Sequence, residues 1–242
     1  MWKQIKAAAY TGTKNLYKAM VPAVKSLVCN SDVDKIYLLI EDDKFPYEMP
    51  EDIVEVRNVS KQKYFKPDGP NMNSRFTYMA MMRAALAKEF PELDRILSLD
   101  VDTLVVRDIQ NLWHKPIENG FYFAAVEEPQ RTRYEGYLYT NIGVALYNLE
   151  MLRDGKCDEV IEALNTKEYK YLEQDVFNEL CQEKILPISN RYNSNPFCKI
   201  HDIPSIVHFA GVKYWRDENE YKKWDNASWD EIMKYRKRVY NR

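Results

Sequence analysis

The amino-acid sequence predicts an α/β protein, a single domain with a mostly parallel central sheet flanked by helices. Three observations predict it. The chain opens on a strand–helix–strand pattern, a later apolar strand ends on a pair of aspartates, and 45% of the 242 residues are hydrophobic, enough for one core. Residues 5–10 are a short apolar run and give the first buried strand. Over residues 14–29, Leu16, Met20, Val24, Leu27 and Val28 fall on one face at helical spacing. Residues 34–40 (DKIYLLI) and 52–59 give the second and third strands. That order asks for parallel pairing, with the helix packed across the sheet.

Residues 61–73 are rich in Lys, Pro, Gly and Asn and form a loop. Asn73 and Ser74 offer a cap for a helix running to Phe90, and Pro91 ends it. Residues 95–99 (RILSL) are a buried strand, with Asp100-Val101-Asp102 where it stops. Further strands are expected at 122–126, 143–147 and 206–209, and helices at 158–164 and 174–181. The domain spans residues 1–215; residues 216–242 form a basic, aromatic, helical tail.

Composition excludes several classes of function. With 35 Lys+Arg against 37 Asp+Glu, the formal net charge is −2, so no nucleic-acid partner is expected. Eighteen Tyr and five Trp suit a carbohydrate or nucleotide cleft as well as a Tyr-rich surface. Cys29, Cys157, Cys181 and Cys198 show neither a C-x-x-C pair nor zinc-ligand spacing, which suits free thiols in a reducing compartment. The first residues lack the apolar core of a signal peptide, and no run approaches the ~18 apolar residues of a membrane span. A cytoplasmic protein is expected.

In an open α/β sheet, ligands bind beyond the carboxyl ends of the strands, which is where the acidic pair lies. Asp100 and Asp102 are two residues apart, so on an extended strand both carboxylates point the same way. Two such carboxylates make a hard-oxygen site for Mn²⁺ or Mg²⁺; equally, a D-x-D can be a plain acidic turn. His208, after the apolar run Ile206-Val207, can complete a metal shell or be a buried structural histidine. The other histidines are His114 and His201. Gly211 lets backbone approach a phosphate, and Lys213 offers it a point charge. Arg83 is a second candidate diphosphate clamp, or a solvent-facing residue like most arginines. Gln174 and Asp175 open a helix, where an acidic residue also compensates the dipole.

Together these segments resemble glycosyltransferase family 8, the group of glycogenin and bacterial galactosyltransferases. FPELDRI followed by LSLDVDTLVV carries the resemblance at the D-x-D. Ser74-Arg75-Phe76-Thr77-Tyr78 with Arg83 is similar to the segment upstream of it. Tyr139-Thr140-Asn141-Ile142-Gly143-Val144 resembles the family's F-N-S-G-V, and Leu172-Glu173-Gln174-Asp175-Val176 its D-Q-D. His208-Phe209-Ala210-Gly211 with Lys213 and Trp215 resembles its H-F-x-G…K-x-W. The motifs stand in the family's order, over roughly residues 5–215.

The resemblance implies a GT-A fold and a retaining transfer of a hexose, of glucose or galactose type, from a UDP-sugar to a glycan, lipid-linked or protein acceptor. It implies that Asp100, Asp102 and His208 hold the divalent ion. Arg83, Val101, Gly211 and Lys213 would meet the donor, and Tyr10, Thr11, Thr13 and Tyr17 the uridine. Asn141, Gln174 and Asp175 would line the sugar and acceptor side. Three departures stand out: the Thr11–Lys14 turn lacks an acidic residue, Glu173 replaces the usual Asp, and Lys213 sits one residue nearer His208.

Two rivals remain at this point. Asp100-Val101-Asp102-Thr103 also reads D-x-D-x-T, as in haloacid-dehalogenase-like phosphatases, although no G-D-x-x-x-D follows. A nucleotide-sugar-binding protein without catalysis is the second. The tail alternates Tyr and Trp with Lys and Arg, which suits either a peripheral contact with an anionic membrane or packing on the domain.

Overall fold

A computed structural model of the chain describes residues 5–74, 76–128, 136–197, 202–216 and 218–240. Arg75, Cys198, His201, residues 1–4 and residues 217, 241 and 242 of the tail, all within segments read above, lie outside the described residues.

The opening pattern folds as β1 (Ala7–Thr11), α1 (Tyr17–Asn30), β2 (Lys35–Ile40) and β3 (Val54–Asn58). The central strand β4 (Arg95–Leu99) lies beside β1, and the four strands run parallel in the order β3-β2-β1-β4. Residues alternate between the two faces along each strand. In β1, Ala8 and Tyr10 join the core under α1, whereas Ala7 and Ala9 join the core on the opposite face.

Beyond β4 the pattern changes. β7 (Thr140–Asn148) is antiparallel to both β4 and β6 (Phe123–Glu127), and β8 (Ile185–Ile188) closes the seven-stranded sheet parallel to β6. All nine residues of β7 are buried. A strand buried on both faces carries no alternation, so its direction is set by topology rather than by residue pattern. Helices α2 (Tyr78–Met81), α3 (Leu86–Glu89), α5 (Leu149–Arg153), α6 (Lys156–Thr166) and α7 (Leu172–Leu180) cover the second face.

The helix expected over 73–90 starts later and is broken. Ser74 Oγ accepts from the Phe76 amide at 3.1 Å, a local turn rather than a cap, and Thr77 occupies the N-cap position. Between α2 and α3 the chain tightens into a 3-10 segment, Met82–Ala85, that carries Arg83. A 3-10 stretch inside a helix is common at functional positions.

A short ribbon sets the geometry of the site. β5 (Thr103–Val105) pairs antiparallel with β9 (Ile206–His208), matching Thr103 with His208. It lies against α1, whose Ser26 hydroxyl accepts from the Val105 amide at 3.0 Å. Between β5 and β6 lies α4 (Gln110–Trp113), whose Trp113 indole donates to Ser31 Oγ at 3.0 Å.

The tail folds as α8 (Glu218–Asp225) and α9 (Trp229–Tyr240), and Trp224 and Ile232 pack into the α1 core. Arg236 is buried and donates to the Ser31 carbonyl at 2.9 Å, so this end of the chain is tied to the turn after α1. Among the described residues no helix is long and apolar enough to cross a membrane.

Candidate active site

The β4 ladder extends one residue past the strand: the Asp100 amide donates to the Gly143 carbonyl of β7 at 2.7 Å. The chain then turns, and the Thr103 amide donates back to the Asp100 carbonyl at 3.1 Å. Asp100 and Asp102 therefore face each other across a tight turn, not along an extended strand as their spacing suggests. The β5–β9 register brings His208 onto the same turn, and the Phe209 amide donates to the Asp102 carbonyl at 2.9 Å.

His208 Nε2 lies 3.5 Å from Asp100 Oδ2 and 3.4 Å from Asp102 Oδ1. One ligand atom from each of the three residues fits within a 4.8 Å span. Two carboxylates that close repel by roughly 3–4 kcal/mol at an effective dielectric of about 20, so they need cations nearby. Arg83 Nη2 pairs with Asp100, and Lys213 Nζ pairs with Asp102. Burial pushes Asp102 up, but His208 and Lys213 outweigh it and hold the carboxyl well below its usual range. Burial lowers His208, and Asp102 beside it reverses this, leaving the imidazole above its ordinary value.

Gly143 makes room for this cluster. A Cβ there would stand 2.3 Å from His208 Cε1 and 2.8 Å from Asp100 Oδ2. The donor set of two carboxylates and one imidazole is the chemistry Mn²⁺ and Mg²⁺ take, and the vacant Cβ position keeps the three groups convergent.

The cluster floors a cleft of about 620 Å³. Arg83, Asn141, Gln174, Gly211 and Lys213 line it with the three ligands; of the other residues read from sequence, Leu172, Glu173, Ala210 and Phe76 do so too. Arg83 is buried and bridges two acids, Asp100 and Glu173, the latter at 3.2 Å. Burial raises Glu173, and Arg83 opposes that. Gln174 accepts from the Ile142 amide at 3.3 Å and donates to Tyr139 Oη at 3.1 Å. Leu172, just before Glu173, has φ +46°, a left-handed conformation costing a non-glycine residue about 1–2 kcal/mol. It turns the chain so that Tyr171, Glu173 and Gln174 all reach the cleft wall.

Other residues read from sequence lie elsewhere. Asp175 accepts from Tyr139 Oη at 2.6 Å and from the Tyr171 amide at 2.9 Å, and lines a separate cavity with Tyr169 and Lys167. Val101 packs in the core, as does Tyr10, whose hydroxyl donates to the Ala23 carbonyl at 3.3 Å. Thr11, Thr13 and Tyr17 sit at the β1–α1 turn, outside the cleft lining. Tyr17 Oη accepts from the Glu41 amide at 2.9 Å and donates to Asp42 at 3.1 Å. The acidic groups missing from the Thr11–Lys14 turn thus arrive from the end of β2: Glu41 also accepts from the Lys14 amide at 3.1 Å.

Sequence reasoning missed Asn193, which touches His208, and the cleft-lining rings of Tyr171 and Phe197, which join Phe76 in an aromatic rim. The asparagine-rich run NRYNSNP, just ahead of β9, was the available signal for the first.

The profile of the family described as "Glycosyl transferase family 8" matches residues 8–219. The chain belongs to glycosyl transferase family 8. It is 34% identical over 115 residues to the lipopolysaccharide 1,2-glucosyltransferase of Escherichia coli, covering 42% of this chain and 34% of that protein. A Haemophilus influenzae relative is 31% identical over 127 residues, 47% of this chain and 38% of its own length. The chain thus matches little more than a third of these relatives' lengths.

Among solved structures, galactosyltransferase LgtC in complex with donor and acceptor sugar analogs superposes with a TM-score of 0.67 at 17% identity, over 95% of each chain. The glycosyltransferase GlyE of Streptococcus pneumoniae gives 0.70 at 20% identity, over 96% of this chain and 63% of its own. These likenesses give the fold, which is GT-A.

Proposed function

We propose that this chain transfers a hexose from a UDP-sugar to a glycan, lipid-linked or protein hydroxyl, with retention at the anomeric carbon. The convergence of Asp100, Asp102 and His208 within 4.8 Å, at the floor of the cleft, carries this reading. These residues would hold Mn²⁺ or Mg²⁺. Such an ion supplies Lewis-acid charge that favours departure of a diphosphate.

The chain's own groups do the remainder. Lys213 and the Gly211 backbone stand beside the ligands, where they meet the diphosphate as the sugar–phosphate bond lengthens. Arg83, held by Asp100 and Glu173, is preorganised and presents its charge without rearrangement. Glu173 and Gln174 face the sugar. Asp175 does not serve as a nucleophile on the sugar, because both its oxygens are engaged and its side chain lines the other cavity. With Glu173 held in its pair with Arg83, this favours a front-face route: the acceptor oxygen bonds to the anomeric carbon on the side the diphosphate leaves, and its proton passes to the departing phosphate oxygen. At the nucleotide end, Tyr17, Thr11 and Thr13 with Glu41 and Asp42 would meet the uridine.

Family membership removes the phosphatase alternative, and Asp100 is in any case paired with Arg83 rather than free to attack phosphorus. The reading places the enzyme in the cytoplasm, with α8 and α9 packed on α1; sedimentation with anionic vesicles tests whether the tail also touches membrane.

A screen of UDP- and GDP-sugars for Mn²⁺-stimulated donor hydrolysis tests the proposal. One UDP-hexose should be cleaved and GDP-sugars left intact. Cation-dependent UDP binding with no hydrolysis of any donor would leave a binding protein in place of an enzyme.

A further inference from the structure

The imidazole of His208 is held by a chain of buried side-chain amides whose directions fix one another. A carboxamide can be turned either way about its last bond, so its direction is set by partners that can play one role only. The Gly143 amide can only donate, and it meets Asn141 Oδ1 at 3.0 Å. The Asn141 amide nitrogen accordingly turns to Glu128 Oε2, at 2.9 Å. Asn141 then shows two oxygens to Asn193, its side-chain Oδ1 at 2.9 Å and its backbone carbonyl at 3.2 Å. Both can only accept, so the Asn193 group facing them is its NH₂.

Asn193 Oδ1 is left on the other side, where it accepts from Asn195 Nδ2 at 3.1 Å and lies 2.9 Å from His208 Nδ1. An oxygen opposite Nδ1 requires that Nδ1 carry the hydrogen. In the neutral ring the lone pair is then on Nε2, the nitrogen that faces Asp100 and Asp102. A flipped Asn193 would set its oxygen against the two oxygens of Asn141 and its N–H against the amide of Asn195. None of Asn141, Asn193, Asn195 and His208 is more than 6% exposed, so water does not repair a mismatch. The backbone keeps the parts in place: the His208 amide donates to the Ser194 carbonyl at 2.8 Å, and the Ser194 amide to the Ile206 carbonyl at 3.0 Å.

We propose that Asn193, oriented through Asn141, is a positioning residue that selects the tautomer in which His208 Nε2 can bind the divalent cation. The inference rests on the cation reading of Asp100, Asp102 and His208.

The chain has three histidines, so ¹⁵N-imidazole NMR of the full-length protein resolves His208. With saturating Mg²⁺, the wild type should carry its ring proton on Nδ1. Mn²⁺ affinity, read by loss of the free-ion EPR signal, should fall about 10- to 100-fold in Asn193→Leu. Asn193→Asp keeps an acceptor opposite Nδ1 and should keep the tautomer and the affinity. It should nevertheless melt lower, because its second oxygen meets those of Asn141. A residue that merely supported the fold would instead make affinity follow melting temperature across both variants, and that result overturns the inference. So does a ring proton on Nε2 in the Mg²⁺-loaded wild type, a measurement that stands even where Asn193→Leu fails to fold. A wild type that binds no divalent cation overturns the cation reading and this inference together; cation binding with the proton on Nε2 overturns this inference alone.

Discussion

Two parts of the cleft lining are built in opposite ways. The wall of Asp100, Asp102 and His208 is over-determined. Its carboxylates are clamped by Arg83 and Lys213, its imidazole backs onto an amide chain, and its floor has no room for a single methyl group at Gly143. The rest of the lining includes the aromatic rings of Phe76, Tyr171 and Phe197, with Phe76 38% exposed. Phe76 and Tyr171 stand 6.4 Å apart, centroid to centroid. The first is locked by directional bonds, as the proposed cation would need, since ligands must be fixed to within a few tenths of an ångström. An aromatic rim, by contrast, is held by contacts without fixed direction.

Substitutions can break that contrast, and the largest effect belongs to the locked wall. Asp102→Asn should lower turnover by about 10³-fold or more while the protein stays folded, since it removes a ligand and leaves Lys213 without its partner charge. Steady-state kinetics with a melting curve checks both halves. Next comes Gly143→Ala. Its methyl group would collide with His208 and Asp100, costing about 1–3 kcal/mol of stability and most of the cation affinity. Thermal melts and Mn²⁺ titration should show both losses together.

Glu173→Gln should destabilise by roughly 1–3 kcal/mol, because it removes one of the two charges that flank the buried Arg83. Turnover should fall with it, while uridine affinity holds. Asp175→Asn sharpens the comparison: the residue is on the same helix and close in sequence, yet turned to another cavity. It should cost about 1 kcal/mol and change turnover only a few-fold, because the amide keeps one acceptor oxygen and loses only one of the Tyr139 and Tyr171 bonds. If Asp175→Asn were as damaging as Asp102→Asn, the assignment of these carboxylates would have to be redrawn. The smallest effect is expected at the rim, where Phe76→Ala should raise the acceptor KM and leave donor hydrolysis unchanged.

How far the sequence could be read follows the same division. Asp100, Asp102, His208 and Lys213 stood out only together with the family resemblance, since each alone also suits an acidic turn, a buried histidine or a surface lysine; the structure gathers all four at one cleft. The parallel half of the sheet was legible from the apolar runs of β1, β2 and β4. The antiparallel course of β7 was not, since a fully buried strand reads alike in either direction. The family resemblance put Tyr10 beside the uridine, but its side chain points into the α1 core. Asn193 gave no clear sign, because asparagine is common in turns and its role here depends on partners 52 residues away in Asn141 and 15 away in His208. Glu41 was passed over for a comparable reason: it reaches the β1–α1 turn from the neighbouring strand.

The three-pair ribbon of β5 and β9 has a consequence for biosynthesis. The seven-stranded sheet has all its strands by Ile188, yet His208 arrives only with the last strand of the ribbon. With His208 as the proposed third ligand, a ribosome-bound chain can finish its scaffold while still chemically silent. Competence arrives late, when the closing segment emerges and zips onto Thr103–Val105.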